Sequence, residues 1–387
     1  FKNGGLANRY NDILFEDSGG QHGRIRYSHL GDKFQFMAGS ASAVNFEIDN
    51  NSRISLSNND GGNTGNTVFG KSAFNTSTNN ASDYNTAIGE LAMGTGTVAG
   101  AIRNTALGYT ALEDITDGNY NSGLGERAGS SITTGDSNTF LGSAAGILLT
   151  TGDNNIAIGQ AALDAADGAE TNNIAIGLDS LGNLNSDGAT RNIGIGNYSG
   201  DGMGTVGNHT DNIFIGHDSG GGTWTGTSSN LNTAIGSYSM DAAMNGANYN
   251  TAVGYNSLTA LTQGDYNTVV GAEAGLDQTT ATANSFFGFR AGYDIIGGGE
   301  NTFIGSAAGL LTTAVVGATL IGREAGGGGV ITTDANYTTA VGYASLYALT
   351  EGQYNTAVGY RGLNANQTGD GCTAVGYNSL LLSTNND

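Results

Sequence analysis

Asn85-Thr86-Ala87-Ile88-Gly89 decides the reading of this chain, because the same phrase recurs, with variations, eighteen times. Its closing glycine falls at 70, 89, 108, 125, 142, 159, 177, 196, 216, 236, 254, 271, 288, 305, 322, 342, 359 and 376, in steps of 17 to 20 residues. A unit that short cannot bury a core of its own, so successive units must stack. With the glycine as position 0, position −1 is always large and apolar, from Phe69 to Val375. Position −3 is mostly Thr, with Ile156, Ile174, Ile193 and Ile213 in a central block. Alternation with period two marks a strand with one buried face. The expectation is an all-β, elongated repeat stack, a β-roll or β-solenoid, with −3 and −1 inside and −4, −2 and the glycine on the other face. At one strand spacing per unit, the eighteen units stack to roughly 85 Å.

Two further positions vary together. Where −2 is Ala, +4 is large, as in Ala87 with Met93, Ala252 with Leu258 and Ala357 with Leu363. Where −2 is bulky, +4 is Gly, as in Phe140 with Gly146, Phe286 with Gly292 and Phe303 with Gly309. Three units depart: Val68 with Phe74, Gly123 with Gly129 and Gly194 with Gly200. Close packing tolerates little change in volume, so the two positions share one space at each level. With −1 assigned to the interior, the −2 face would be an apolar stripe along the stack, an association surface. The −2/+4 space is therefore expected between subunits of a homo-oligomer.

Position −4 is Asn in 15 of 18 units, departing at Ala318, Thr338 and Cys372. A column of amides can donate and accept from level to level. Asn85, Asn104, Asn121, Asn138, Asn250, Asn267, Asn301 and Asn355 are expected to form such a structural ladder.

Composition narrows the function. The 66 glycines without any proline fit neither collagen nor a flexible linker. A net charge of −21 with 13 basic residues disfavours nucleic acid and anionic membranes as partners. The single Cys372 excludes an intrachain disulfide and a cysteine-based metal site. No apolar run is long enough for membrane insertion as a helix. Phe1 stands where an initiator Met would, which reads as a fragment or processed product. Residues 1–62 lack the repeat and read as a β-rich N-terminal collar, 63–382 as the eighteen-unit rod and 383–387 as a C-terminal tail.

The Asn-Thr-Ala-Ile-Gly unit resembles the Val-Ala-Ile-Gly repeats of trimeric autotransporter adhesin heads, which form trimeric left-handed β-rolls. The longer period, with Gly23-Arg24-Ile25-Arg26-Tyr27, Phe-rich strands and Glu47-Ile48-Asp49, looks more like tailed-phage fibres. The resemblance implies a homotrimer, an extracellular place on a virion tail or a bacterial surface, and a structural fibre that serves as shaft and host-attachment surface. An adhesin of the autotransporter type is the second expectation, and a polysaccharide-degrading fibre enzyme the third. The unit of 17 to 20 residues departs from the adhesin repeat, which leaves the roll geometry open.

Chemistry is sparse. Four scattered histidines, His22, His29, His209 and His217, do not make a metal cluster, and the Asp-rich turns lack the nonapeptide of calcium-binding rolls. Carboxylates such as Asp114, Asp117 and Glu126 sit at changing offsets and form no pair for glycan cleavage. No enzyme activity, metal or cofactor is expected. The remaining partner is a cell-surface glycan or protein receptor. Tyrosines occupy two columns, −5 (Tyr84, Tyr120, Tyr249, Tyr266, Tyr337, Tyr354) and +1 (Tyr109, Tyr255, Tyr343, Tyr360, Tyr377). They read first as rings covering turns, and second as sugar platforms. Irregular surface lies at Gly220–Trp224, with the only Trp, and at Gly326–Val330. The candidate receptor contacts are Trp224, Tyr343, Tyr360 and Tyr377.

Overall fold

The computed structural model describes six strand segments within residues 1–62, then residues 65–74, 81–186, 188–204 and 207–383. The expected boundary at Gly61-Gly62 and tail residues 384–387 lie outside the described residues. The chain divides into two compact units, Phe1–Thr134 and Gly135–Asp387.

The first unit opens with a six-stranded antiparallel meander: β1 (Lys2–Asn3), β2 (Tyr10–Asp17), β3 (Gly20–Ser28), β4 (Lys33–Ala38), β5 (Phe46–Ile48) and β6 (Ile54–Ser55). Register places Ile13, Ile25, Phe36 and Phe46 in one row across β2–β5. Ile13, Phe15, Phe34 and Phe36 on that face are exposed. On the other face, Arg26 holds Asp12 through two hydrogen bonds of 2.8 and 3.1 Å.

One three-residue strand per repeat follows, from β7 (Thr67–Phe69) to β10 (Ser122–Leu124) in the first unit and from β11 (Thr139–Leu141) to β24 (Thr373–Val375) in the second. Each is positions −3 to −1 of its repeat, and within each unit neighbours pair in parallel with no register slip. The architecture is an eighteen-turn parallel β-solenoid. Backbone bonding between levels continues past the strands. The −5 and +2 amides reach the level before, as in Tyr266 N–H to Asn248 O and Glu273 N–H to Tyr255 O. The +4 amide reaches the level after, as in Leu258 N–H to Ala274 O. The Ser306–Leu310 stretch is a non-helical turn, and Thr333–Ala335 forms the one 3-10 helix among the described residues.

The sequence-based phase of the strand is corrected by burial. Position −2 is buried in every strand after β7, whereas no −1 residue is buried. Phe140, Phe214, Phe286 and Phe303 are fully enclosed, while Leu141, Phe287 and Ile304 are exposed at about 40%. The strands therefore put −2 and −4 inside and −3 and −1 outside. The −2/+4 space lies within one chain and not between subunits. A Cβ at Gly309 would lie 2.6 Å from Phe303 Cε2, and one at Gly292 2.6 Å from Phe286 Cε2. Where both positions are Gly, a neighbouring level fills the gap: Leu112 reaches Gly123, and Leu181 reaches Gly194 and Gly200. The space shared by −2 and +4 is thus narrow, and one large side chain fills it, while a second large residue is buried farther round the coil, as Leu261 is beside Leu258.

Backbone conformation enforces this shape. The +4 residue is left-handed at every level, including Met93 (φ 49), Leu258 (φ 50) and Leu363 (φ 46). The cost of an L-residue there is accepted where −2 is Ala, and Gly removes it where −2 is Phe. The closing glycines have φ from 126 to 147, and a Cβ on Gly271 would collide with the Gly288 carbonyl of the next level. Only glycine permits that approach.

The asparagines tie the levels together from inside. Asn250 Oδ1 accepts from the Asn267 backbone N–H (3.0 Å) and from Asn267 Nδ2 (2.9 Å), while Asn250 Nδ2 donates to Gly264 O (2.8 Å). The same backbone-to-amide bond joins Asn104 to Asn85 and Asn121 to Asn104. It also joins Asn155 to Asn138 and Asn301 to Asn284. Asn355 Oδ1 takes the Cys372 N–H at 2.8 Å, so the acceptor half of the ladder serves a non-Asn neighbour as well.

Candidate functional site

Two surface columns and one aromatic pocket contain the residues singled out by sequence. In the second unit, Tyr343, Tyr360 and Tyr377 stack face to face at 5.3 and 5.2 Å, and Tyr249–Tyr266 and Tyr337–Tyr354 stack at 5.0 and 5.8 Å. In the first unit, Arg103 lies 5.5 Å from the rings of both Tyr84 and Tyr120 and donates to the Tyr120 hydroxyl. The column geometry follows from the repeat: equal positions on adjacent levels are one strand spacing apart, close to ring-stacking distance. Within each stack neighbouring rings face one another, and Tyr249, Tyr266, Tyr337, Tyr354, Tyr360 and Tyr377 remain exposed.

Trp224 is placed differently from the surface contact suggested by its Gly-rich loop. It is 3% exposed, its Nε1 donates to Gly221 O at 2.8 Å, and its ring meets His209 and Phe214 edge-on at 4.9 and 5.6 Å. Its face is therefore closed to a receptor, and it acts as a plug in the coil. His209 is buried beside it, while His217 is half-exposed and pairs with Asp218 at 3.0 Å.

Sequence offsets hid a cluster of carboxylates. Asp164, Asp201 and Asp241 stand at +5, and Asp179 and Asp218 at +2 of the intervening levels. Burial pushes Asp201 and Asp241 up to about 6; Asp218 adds repulsion to both, with Asp179 and Asp241 also acting on Asp201. Asp164 is raised for the same first reason, with Asp179 second. Among the described residues no group of three or more His, Cys, Asp or Glu side chains has the geometry to hold a metal ion. No helix among them is long and apolar enough to cross a membrane.

A further surface feature, repeated at every level of each unit, is the outer face of the solenoid strands. Thr or Ile at −3 and Ile, Val, Leu or Phe at −1 form flat, half-exposed columns, as in Ile193–Ile195, Ile213–Ile215 and Thr233–Ile235. The sequence signalled these residues but assigned them to the interior. The available clue was the Asn column at −4, which shares a face with −2, since polar Asn needs enclosed partners to form a ladder.

Comparison with known proteins finds no match: no family model, no curated protein and no solved structure is significantly similar to this chain.

Proposed function

We propose that this chain is a structural fibre protein of a tailed virus, a homotrimeric shaft whose surface also serves host attachment. The observation that carries the reading is the column of half-exposed apolar residues at −1 that runs along the parallel sheet of the second unit from β11 to β24. A monomer in water rarely leaves so long an apolar stripe uncovered. Because the stripe repeats level by level, copies of this chain side by side present matching columns to one another. A symmetric homo-oligomer covers it with no other partner. The aromatic face of the β2–β5 meander, with Ile13, Phe15, Phe34 and Phe36 exposed, extends the same argument to the first unit.

A bacterial surface adhesin of similar build is the second reading, favoured by the Asn-Thr-Ala-Ile-Gly unit itself. Immunogold labelling separates them. Label on the tails of virus particles is the expected result, and label confined to the bacterial envelope would replace the first reading by the second.

A further inference from the structure

A small polar concavity on the second unit has the makings of a ligand site. The +2 residue of every level is left-handed, with φ from 48 to 59, and forms a column of its own. On two adjacent levels this column carries Glu273 and Arg290, which close on each other at 2.6 Å and leave no gap. Further along, an acid and a base stand two levels apart with an alanine between them: Glu324, Ala344, Arg361. Two strand spacings, roughly 10 Å, separate the two backbones. Instead of meeting, Glu324 turns to Arg323 at 2.9 Å, and Arg361 lies 5.4 Å from the Tyr360 ring without an ion pair among the described residues. The space vacated by the missing side chain is a cavity of about 240 Å³, lined by Glu324, Tyr343, Ala344, Tyr347, Arg361 and Asn364. Tyr347 lies across Gly328, in the Gly326–Val330 loop. Asn364 is fixed by donating Nδ2 to Ala344 O at 2.8 Å.

We propose that this cavity binds one ring of a neutral sugar. The lining combines two tyrosines on the middle level with one carboxylate on the level before and one guanidinium and one amide on the level after, so its charge is balanced. Such a set suits a ligand with an apolar face and adjacent hydroxyls. Glu324 accepts from a hydroxyl, Arg361 donates to one, and a tyrosine ring covers C–H groups. The volume lies below the range of pockets for drug-sized ligands, which limits the site to a single ring of a longer glycan. Free hexose should therefore bind only in the millimolar range. This inference rests on the attachment role proposed above and names the class of receptor that role would use.

The test is saturation-transfer NMR on the full chain. The probes are the methyl glycosides of glucose, galactose and mannose, methyl glucuronide and glycine betaine, each at tens of millimolar. At least one neutral glycoside should give ring-proton signals. Ala344→Leu should abolish them, or weaken binding at least about tenfold, by filling the cavity. Leu91 already occupies the equivalent +2 position at φ 59, so this variant has a precedent in the same backbone. Arg361→Ala should weaken the signals likewise, and Arg290→Ala, at the closed pair, should not. Silence from all three neutral glycosides, signals only from the glucuronide or the betaine, or neutral signals that survive both Ala344→Leu and Arg361→Ala would each overturn the proposal. Cell attachment is scored separately. Sugar binding without any attachment by the fibre would uphold the site and sink the attachment reading, whereas attachment without sugar binding would do the reverse.

Discussion

Phe303→Ala, alone and combined with Gly309→Leu, asks whether the two positions fill one space inside a single coil. Phe303 is fully buried, stacked 4.8 Å from Phe286, and a Cβ on Gly309 would come within 2.6 Å of its ring. Truncation to Ala should cost about 3–5 kcal/mol. Leu at 309 with Phe303 in place overpacks the coil, at about 1–3 kcal/mol, and forces a left-handed Leu, at about 1–2 kcal/mol. Independent effects would add. In the double variant, however, the leucine fills the void left by the ring, as Leu258 does opposite Ala252, also at a left-handed φ of 50. The account predicts a coupling of about 3 kcal/mol or more, against less than about 0.5 for independent sites. Solenoids unfold in pieces, so hydrogen exchange of the Thr302 and Gly305 amides, which bond to Ala318 O and Phe287 O, is the appropriate assay beside urea denaturation. Additive losses would refute the shared space.

Four other outcomes follow from the same geometry. Gly271→Ala should open the stack at that level, at a cost of about 3 kcal/mol or more, seen as proteolytic cleavage near Gly271; an intact, protease-resistant stack would contradict the close approach to Gly288. Asn250→Leu should strand the Asn267 N–H and Gly264 O, at about 1–3 kcal/mol for each unpaired group, measured by urea midpoint. Asp201 and Asp241 titrate near 6 in the fold, above the usual 3.8, so the native state holds more protons between those values. Their contribution is fully present below pH 3.8 and is lost as pH rises through 6; the melting temperature should rise between pH 7 and 5, and Asp201→Asn with Asp241→Asn should flatten that rise. Trp224→Ala should lower thermal stability by removing a core plug, whereas replacing exposed Tyr377 should leave it nearly unchanged.

The positions of all eighteen solenoid strands were legible, because the closing Gly and the large residue at −1 recur in every unit and Asn marks −4 in 15 of the 18. What the alternation left undetermined was its phase. Period two separates two faces but does not label either as inside. The −1 column, always large, looked like a core, yet the enclosed strand position is −2, where residue size varies inversely with that at +4. The compensation between Phe303 and Gly309 showed a shared space, but size matching alone does not distinguish a contact within one chain from a contact between subunits. The left-handed turns at Leu258 or Leu363 were not legible, since such residues ordinarily avoid positive φ and only the stacking of levels imposes it. Of the site residues, the tyrosine columns were visible from their spacing. The burial of Trp224 was not, because nothing in the spacing shows that its Gly-rich loop folds the indole back onto Phe214 of its own level and onto His209. The carboxylate cluster was hidden as well, its members alternating between +2 and +5.

The central claim is that −1 faces outward and is covered by other copies of the same chain. Light scattering on the purified protein measures this most directly. The account predicts three times the 39.1 kDa chain mass. With Ile215, Ile235 and Val253 each changed to Lys, the mass should fall toward that of a single chain, with the strand signal in circular dichroism retained. A wild-type protein that runs at 39.1 kDa, or an assembly indifferent to those three lysines, would contradict it.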